Sequence, residues 1–369
     1  MKGAKRRQID LDVVRGLAIL LAMGWHLNRL AIGGVGDWLI APGARIGWAG
    51  VDLFFVLSGF LIGSLIIREI QRTGRFDYAR FLGRRVLRLW PTLYVFLVAM
   101  LLARVAPWQS FFWQIALHVQ NYVPIKSATH LWSLAVEEHF YLVLGAAFPL
   151  ILRWLRWDRA LPLLLIATLI LCPLLRWVAY DAGVPPATIQ VQTQFRLDAL
   201  AIGVLLAFLS LQAPDLFARM LAVRWLWGAL VIAGGCFLWL VPKDSALGAI
   251  LGYSVAWATG AAVLLLTYRS GFERFARLPC LAVAFVGQIS YPLYLWHVPA
   301  GKIGFGFLGR HIPGHPGVQV IAVYIAAIIM AWAMTVAVEH PFMRLRDRWM
   351  PGKSDAVVDV PDAAAVKAL

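Results

Sequence analysis

Charged residues are scarce in this chain, and acidic residues are fewer than basic ones. Asp, Glu, Lys and Arg make up 14% of the 369 residues, whereas 61% of the residues are apolar. Soluble domains carry roughly 25% charged residues, so this scarcity excludes a chain built mainly of soluble domains. Segments of alternating polar and apolar residues are also lacking, which excludes an outer-membrane barrel.

Cysteine is scarce as well, and its placement argues against a metal site. Cys172, Cys236 and Cys280 lie in or beside apolar runs and lack the spacing of metal ligands, so we interpret them as packing residues. The net charge of +15 comes from short basic clusters between apolar runs. Such clusters do not form a continuous basic face for nucleic acid, and we expect neither a metal nor a nucleic-acid partner.

Long apolar runs are what the chain does have. A run such as 160–178 is long enough to cross the core of a bilayer, which takes about 20 residues. Ten such segments leave little chain for any soluble domain. The sequence therefore predicts an all-α integral membrane protein, a bundle of about ten transmembrane helices. The predicted spans are 9–30, 51–67, 89–103, 138–152, 160–180, 197–211, 225–241, 250–266, 281–298 and 318–338.

The distribution of Lys and Arg predicts the orientation of this bundle. With the N-terminus inside, 24 of these residues fall on the inner side and nine on the outer side. Positive loops stay in the cytoplasm, so both termini are expected to be cytoplasmic, in a bacterial inner membrane. The long loop around Lys126 is then external. We expect a membrane domain over 1–345 and a disordered cytoplasmic tail over 346–369.

Two ionisable residues share one face of the first predicted helix. Arg15 and His26 are eleven residues apart, which is three helical turns and about 20°. They are separated by roughly 16 Å along the helix axis. Ionisable residues inside a span are costly and by default indicate function, although an Arg and a His near the membrane surfaces are also ordinary.

Several other spans carry polar residues at the same predicted outer level as His26. Each one alone is typical of a solvated helix end. Their common depth indicates a polar cavity that contains histidines and carboxylates, the residue types used in general base catalysis. A metal site is disfavoured because His130 and Glu137 lack a tight ligand spacing. These residues are Asp52, His130, Trp132, Ser133, Glu137, Arg196, Asp198, Tyr291 and His297.

A second cluster, Arg84, Arg85 and Arg88, is predicted on the cytoplasmic side. It is either a positive anchor or a clamp for phosphate, whose oxygens match the fork of a guanidinium group. Ser58, Gly59 and Gly63 form a stripe of small residues that serves either helix packing or a slender ligand, and packing is the simpler interpretation.

These segments, taken in order, resemble the acyltransferase type 3 family of membrane acyltransferases. The likeness covers about 9–344 and rests on seven motifs. The motifs are Arg15-x10-His26, Asp52-Leu-Phe-Phe-Val-Leu-Ser58-Gly59, Arg84-Arg85-x-x-Arg88-x-x-Pro91, Trp132-Ser133-Leu-Ala-Val-Glu137-Glu138-His139-Phe140-Tyr141, Phe195-Arg196-Leu-Asp198, Ser290-Tyr291-x-x-Tyr294-Leu-x-His297 and Glu339-His-Pro341-Phe342.

The resemblance implies O-acylation of a hydroxyl on an envelope carbohydrate or glycolipid, with acyl-CoA as co-substrate and acetyl as the expected group. Some members carry a fused hydrolase-like domain, and this chain is expected to be the standalone form. His139 stands where relatives often have Gln, a departure that we expect to matter little.

The residues and the resemblance together predict how the site works. Arg15, Ser58, Arg84, Arg85 and Arg88 bind the CoA donor, and His26 acts as general base or takes the acyl group itself. His130 and His297 are the next candidates for the base. Asp52 or Glu137 orients the His26 ring, and the oxyanion donor is Ser133, Trp132 or Tyr291. Tyr141, Arg196 and Asp198 complete the expected acceptor site.

A transporter or flippase of a lipid-linked sugar is the alternative class. It also explains polar residues within helices, but it favours an internal repeat, which we do not find in the sequence.

Overall fold

The computed structural model describes residues 9–27, 33, 35–104, 113–123, 128–271 and 277–351. Within these ranges the chain forms helices and turns and contains no strand, so the prediction of an all-α protein is confirmed. The helices are α1 (Ile9–Leu27), α2 (Val35–Ile46), α3 (Gly50–Thr73), α4 (Tyr78–Leu102), α5 (Trp132–Trp154), α6 (Trp157–Asp181), α7 (Pro186–Val191), α8 (Leu197–Gln212), α9 (Pro214–Ala222), α10 (Arg224–Leu240), α11 (Tyr253–Thr267), α12 (Arg277–Gln288), α13 (Ser290–His311), α14 (Pro316–Met334) and α15 (His340–Trp349).

Six of the described helical segments are long and apolar enough to cross a membrane, and up to eight if each of two bent pairs is one span. The bent pairs are α8 with α9, at 112°, and α12 with α13, at 79°. The charged α1 and the 17-residue α10 supply helices for the other two predicted spans. The count of ten crossings and the side of each terminus stay predictions.

Several helices differ from the predicted spans at their ends. α4 begins at Tyr78 because Asp77 caps it, with the Asp77 carboxylate accepting a hydrogen bond from the Arg80 amide at 3.1 Å. The arginine cluster therefore lies within α4 rather than before it. The predicted span 281–298 is interrupted between α12 and α13.

Two predicted features fall partly or wholly outside the described residues. Residues 346–349 of the predicted tail continue α15, whereas residues 352–369 lie outside the described part of the chain. Lys126, which marks the predicted external loop, also lies outside the described residues.

Small residues bring α3 and α8 into close contact. A Cβ atom at Gly59 would lie 2.1 Å from the carbonyl oxygen of Leu200, and one at Gly203 would lie 2.1 Å from that of Val56. Only glycine permits this approach, which is the usual device for packing helices where no hydrophobic effect drives them together. Gly59 is therefore a packing residue, as the simpler interpretation of the small-residue stripe predicts.

A second close contact fixes α1 against α12. A Cβ atom at Gly16 would lie 2.1 Å from the carbonyl oxygen of Val283, and one at Gly287 would lie 1.9 Å from that of Asp12. Because Gly16 follows Arg15 directly, this contact sets the position of the first ionisable residue of α1. α1 also packs against α3 and α13, so it stands inside the bundle.

Candidate active site

A narrow cavity of about 140 Å³ lies between α1, α3, α4, α5 and α13. We call its two ends the arginine end, at Arg15, Arg85 and Arg88, and the histidine end, at Ser133 and Tyr294. The residues that line it on α3 run from Val51 to Leu65, which corresponds to about 21 Å of helix. The cavity is thus long for its volume, and it extends along α3 between the two ends.

The arginine end contains two members of the predicted clamp. Arg85 lies over the ring of Tyr141, with its Cζ atom 3.7 Å from the ring centroid. This contact holds the planar guanidinium at the cavity wall. Arg88 and Arg15 line the same end. Arg15 also pairs with Asp12 at 3.2 Å, one turn before it on α1.

Arg84, the third member, has a different role. One of its terminal nitrogens lies 3.3 Å from the Asp347 carboxylate, and another donates a hydrogen bond to the carbonyl oxygen of Met350. These contacts tie α4 to the C-terminal helix α15. Arg85 and Arg88 thus line the cavity, whereas the guanidinium of Arg84 is committed to α15, and a phosphate role for the cluster stays a prediction.

Glu137 lies in the middle of the cavity wall. Its carboxylate accepts hydrogen bonds from the Ser58 hydroxyl at 3.1 Å and from the Tyr141 hydroxyl at 3.0 Å. Its predicted role as the residue that orients His26 is thus not supported by its contacts. Ser58, by contrast, does line the cavity, as predicted for a donor-binding residue.

Three histidine rings meet beyond the histidine end. The His26 ring centroid lies 5.2 Å from that of His297 and 6.3 Å from that of His130, and the latter two are 5.3 Å apart. The described residues that line the cavity include none of the three. Arg15 lines the cavity and His26 joins this histidine cluster, so both face the interior of the bundle, as their spacing predicts.

Backbone carbonyl groups fix the tautomers of two of these histidines. The Nδ1 atom of His297 donates to the carbonyl oxygen of Tyr294 at 2.8 Å, and Nε2 of His130 donates to that of Leu295 at 3.2 Å. The other ring nitrogens, His297 Nε2 and His130 Nδ1, are buried acceptors with no hydrogen-bond partner among the described residues. A fixed tautomer with an open lone pair is the arrangement of a general base.

The remaining carboxylates form a separate network of two buried ion pairs. Asp52 accepts a hydrogen bond from Arg196 at 2.7 Å, and Arg176 lies 2.9 Å from Asp198, which also accepts from the Trp257 indole at 2.9 Å. The four charged side chains are at most 1% exposed. Asp52 therefore pairs with Arg196 instead of orienting His26, and Asp198 is committed to Arg176 and Trp257.

Sequence reasoning missed Arg176, which organises this network. It also donates to the Phe195 carbonyl at 2.6 Å, to the Ile250 carbonyl at 2.8 Å and to the Ser254 hydroxyl at 2.6 Å. Ile250 belongs to a π-helical turn, Gly248–Gly252, which redirects its carbonyl group. The sequence contains a signal, since Arg176 interrupts the apolar run 160–178, but a charge near the end of a predicted span is ordinary and does not by itself indicate a buried network.

The three candidate oxyanion donors have separate environments. The Ser133 hydroxyl lies 2.6 Å from the Tyr294 hydroxyl, whereas the Tyr291 hydroxyl donates to the Leu89 carbonyl at 2.8 Å. Trp132 packs edge-on against Phe55, with ring centroids 6.0 Å apart. Ser133 is linked to the histidine cluster through Tyr294, whose ring lies 5.8 Å from that of His130 and 5.6 Å from that of His297. Tyr294, which the sequence analysis did not select, is the residue at this junction.

The fold and the site define a multi-pass helical membrane enzyme in which a slender cavity leads from arginines toward buried histidines. Residues 8–336 match the model of the acyltransferase type 3 family, described as an acyltransferase domain. The chain belongs to this family, and the resemblance of its motifs is confirmed. The matched residues form the acyltransferase domain of this family.

Comparison with curated proteins finds O-acetyltransferases. The chain is 29% identical over 315 residues to the O-acetyltransferase OatA of Staphylococcus aureus, covering 78% of this chain and 50% of the relative. It is 27% identical over 319 residues to the peptidoglycan O-acetyltransferase OatA of Listeria monocytogenes, covering 79% of this chain and 49% of the relative. The chain thus spans about half the length of these relatives. No solved structure matches the chain significantly.

Proposed function

We propose that this protein is a membrane O-acetyltransferase that moves an acetyl group from cytoplasmic acetyl-CoA to a hydroxyl of an envelope carbohydrate or glycolipid at the outer face. The membrane is the bacterial inner membrane, with both termini in the cytoplasm. The observation that carries the proposal is the slender cavity, which has Arg85 and Arg88 at one end and leads toward the histidine cluster at the other.

The arginine end suits the anionic part of CoA. Guanidinium groups match phosphate oxygens in charge and geometry. In this proposal the nucleotide stays at the arginine end, while the pantetheine arm extends along α3. The roughly 16 Å between Arg15 and His26 is about the length of that arm.

The histidine end suits the chemistry of acyl transfer. His26 takes the proton from the acceptor hydroxyl as its oxygen attacks the thioester carbonyl carbon, forming the new C–O bond. The C–S bond then breaks, and the proton passes to the departing sulfur, which leaves as the CoA thiol. Ser133 is placed to donate a hydrogen bond to the oxyanion once its hydroxyl turns from Tyr294.

The acceptor class is supported by the relatives. Their names assign O-acetylation to both, and peptidoglycan to the Listeria protein. Since the chain spans about half of each, the acceptor of this protein is proposed only as a hydroxyl of an envelope carbohydrate or glycolipid.

The test uses purified protein in proteoliposomes with acetyl-labelled acetyl-CoA and fragments of envelope glycan. We expect labelled ester on the glycan, and loss of that ester in the variant His26→Ala. His315→Ala is the matched control, because His315 is exposed and lies outside the site. Glycan that crosses the bilayer without being esterified would contradict the proposal and favour the transporter class.

A further inference from the structure

Tyr294 borders both the donor cavity and the histidine cluster. Its side chain lines the cavity beside Phe54 and Leu134. Its ring centroid lies 5.8 Å from that of His130 and 5.6 Å from that of His297. A group that travels from the cavity to the histidines therefore passes along the edge of this ring.

Hydrogen bonds hold the Tyr294 side chain in this position. Its hydroxyl lies 2.6 Å from that of Ser133 and donates to the carbonyl oxygen of His130. The ring is 7% exposed, so turning it away would leave buried polar groups without partners. The carbonyl group of Tyr294 also receives the His297 Nδ1 hydrogen. Hydrogen bonds thus hold Tyr294 in place against Ser133, His130 and His297.

We infer that Tyr294, together with Phe54, whose ring contacts its edge, limits the acyl group to the length of acetyl. This inference rests on the proposed function, in which the thioester arrives at the histidine end of the cavity. The rings of Phe54 and Tyr294 meet edge-on, with centroids 6.4 Å apart. Each further methylene on the acyl group has to displace one of these two rings, in a site where neither can move without losing contacts.

A chain-length series tests this inference. For the wild-type protein, kcat/KM should fall by about 10-fold or more for each methylene added, from acetyl-CoA to propionyl-CoA to butyryl-CoA. In Tyr294→Leu, which removes the ring, the ratio of butyryl to acetyl transfer should rise by about 10-fold or more. Phe54→Leu should raise the same ratio and serves as an independent variant if Tyr294→Leu does not fold.

Tyr294→Phe is the matched control, because it keeps the ring and removes only the hydroxyl. A lower overall rate in this variant is compatible with the inference, but its ratio of butyryl to acetyl transfer should stay close to that of the wild type. A purely structural role for Tyr294 would lower all rates together and leave the ratio unchanged in every variant.

The outcomes separate this inference from the proposed function. If the wild-type protein uses no acyl-CoA of any length, the proposed donor is wrong and this inference falls with it. If it uses acetyl-CoA, but Tyr294→Leu and Phe54→Leu both keep the wild-type ratio, only the inference about chain length is overturned. Equal use of acetyl-CoA and butyryl-CoA by the wild type would overturn it as well.

Discussion

Two groups of polar residues lie inside the bundle of this protein, and they differ in whether each side chain is matched by an opposite charge. In the network of Arg176, Asp198, Arg196 and Asp52, each charged side chain has a partner of opposite sign. Single atoms of the Asp52–Arg196 pair, Asp52 Oδ2 and Arg196 Nε and Nη1, have no hydrogen-bond partner among the described residues. In the histidine cluster, His130 and His297 each present a ring nitrogen that has no partner among the described residues. Both groups are buried, so burial alone does not separate them.

The difference indicates what each group is for. Breaking a buried ion pair leaves an uncompensated charge, so a network in which each charge faces an opposite charge ties helices together. An unpaired, oriented lone pair is instead available to a substrate. The paired network joins α3, α6, α8 and α11, whereas the histidines converge from α1, α13 and the turn before α5. We therefore expect substitutions in the first group to affect folding and those in the second to affect turnover.

The largest effect is expected for Arg176→Leu. The variant leaves Asp198 buried without its cation and removes three further hydrogen bonds, so we expect a loss of roughly 3–5 kcal/mol of stability. Thermal unfolding in detergent and the yield of monodisperse protein measure it. Arg156→Leu is the control, because the Arg156–Asp158 pair is exposed and should matter little. Equal unfolding temperatures for the two variants would contradict the structural role of the network.

The next effect is expected for His297→Ala. His297 is the neighbour of the proposed base His26, with ring centroids 5.2 Å apart, so its loss should lower kcat by about 10²-fold while the unfolding temperature stays near that of the wild type. His311→Ala is the control on the same helix, because His311 is exposed and stacks on Phe307 outside the site. A variant that unfolds readily but keeps its specific activity would place His297 with the structural group instead.

A smaller effect distinguishes the arginines of α4. Arg88→Ala should weaken acetyl-CoA binding by about 10-fold, the value of one charge-assisted hydrogen bond. Arg84→Ala should change the affinity less, because Arg84 is bound to Asp347 and Met350. Equilibrium binding of CoA to both variants measures the difference. If Arg84→Ala weakens CoA binding more than Arg88→Ala does, Arg84 binds the donor in addition to its contacts with α15.

The smallest effect is expected for Glu137→Gln. The amide keeps one oxygen as an acceptor for one of the Ser58 and Tyr141 hydroxyl groups, and the other hydroxyl has to turn and accept from the amide nitrogen. The KM for acetyl-CoA should therefore rise by roughly 5-fold with little change in kcat. Steady-state kinetics separate the two constants. A loss of about 10²-fold in kcat would instead show that Glu137 serves the base, as the sequence first suggested.

The sequence predicts the helical class and several site residues for physical reasons. The spacing of Arg15 and His26 fixes their common face because one helix carries both. The common depth of Asp52, Arg196 and His297 brings these residues into the same region of the bundle. The depth of a residue in the membrane does not tell how its helix is rotated about its own axis, however. That rotation decides that Asp52 faces Arg196.

Pairing across helices is also beyond the reach of local patterns. The contact between Arg84 and Asp347 joins residues 263 positions apart, and nothing in either segment alone indicates it. The role of Tyr294 depends on where its ring lies between two groups from other helices. Such features follow from packing, which close contacts such as that between Gly59 and Leu200 determine.

A sided transfer assay tests the central claim most directly, namely that the cavity carries the donor from one face of the membrane to a base near the other. Proteoliposomes of known orientation receive acetyl-CoA on one face and glycan acceptor on the opposite face. We predict ester formation only when acetyl-CoA is on the face that carries Arg88 and the acceptor is on the other face. Transfer that requires both substrates on the same face would contradict the account.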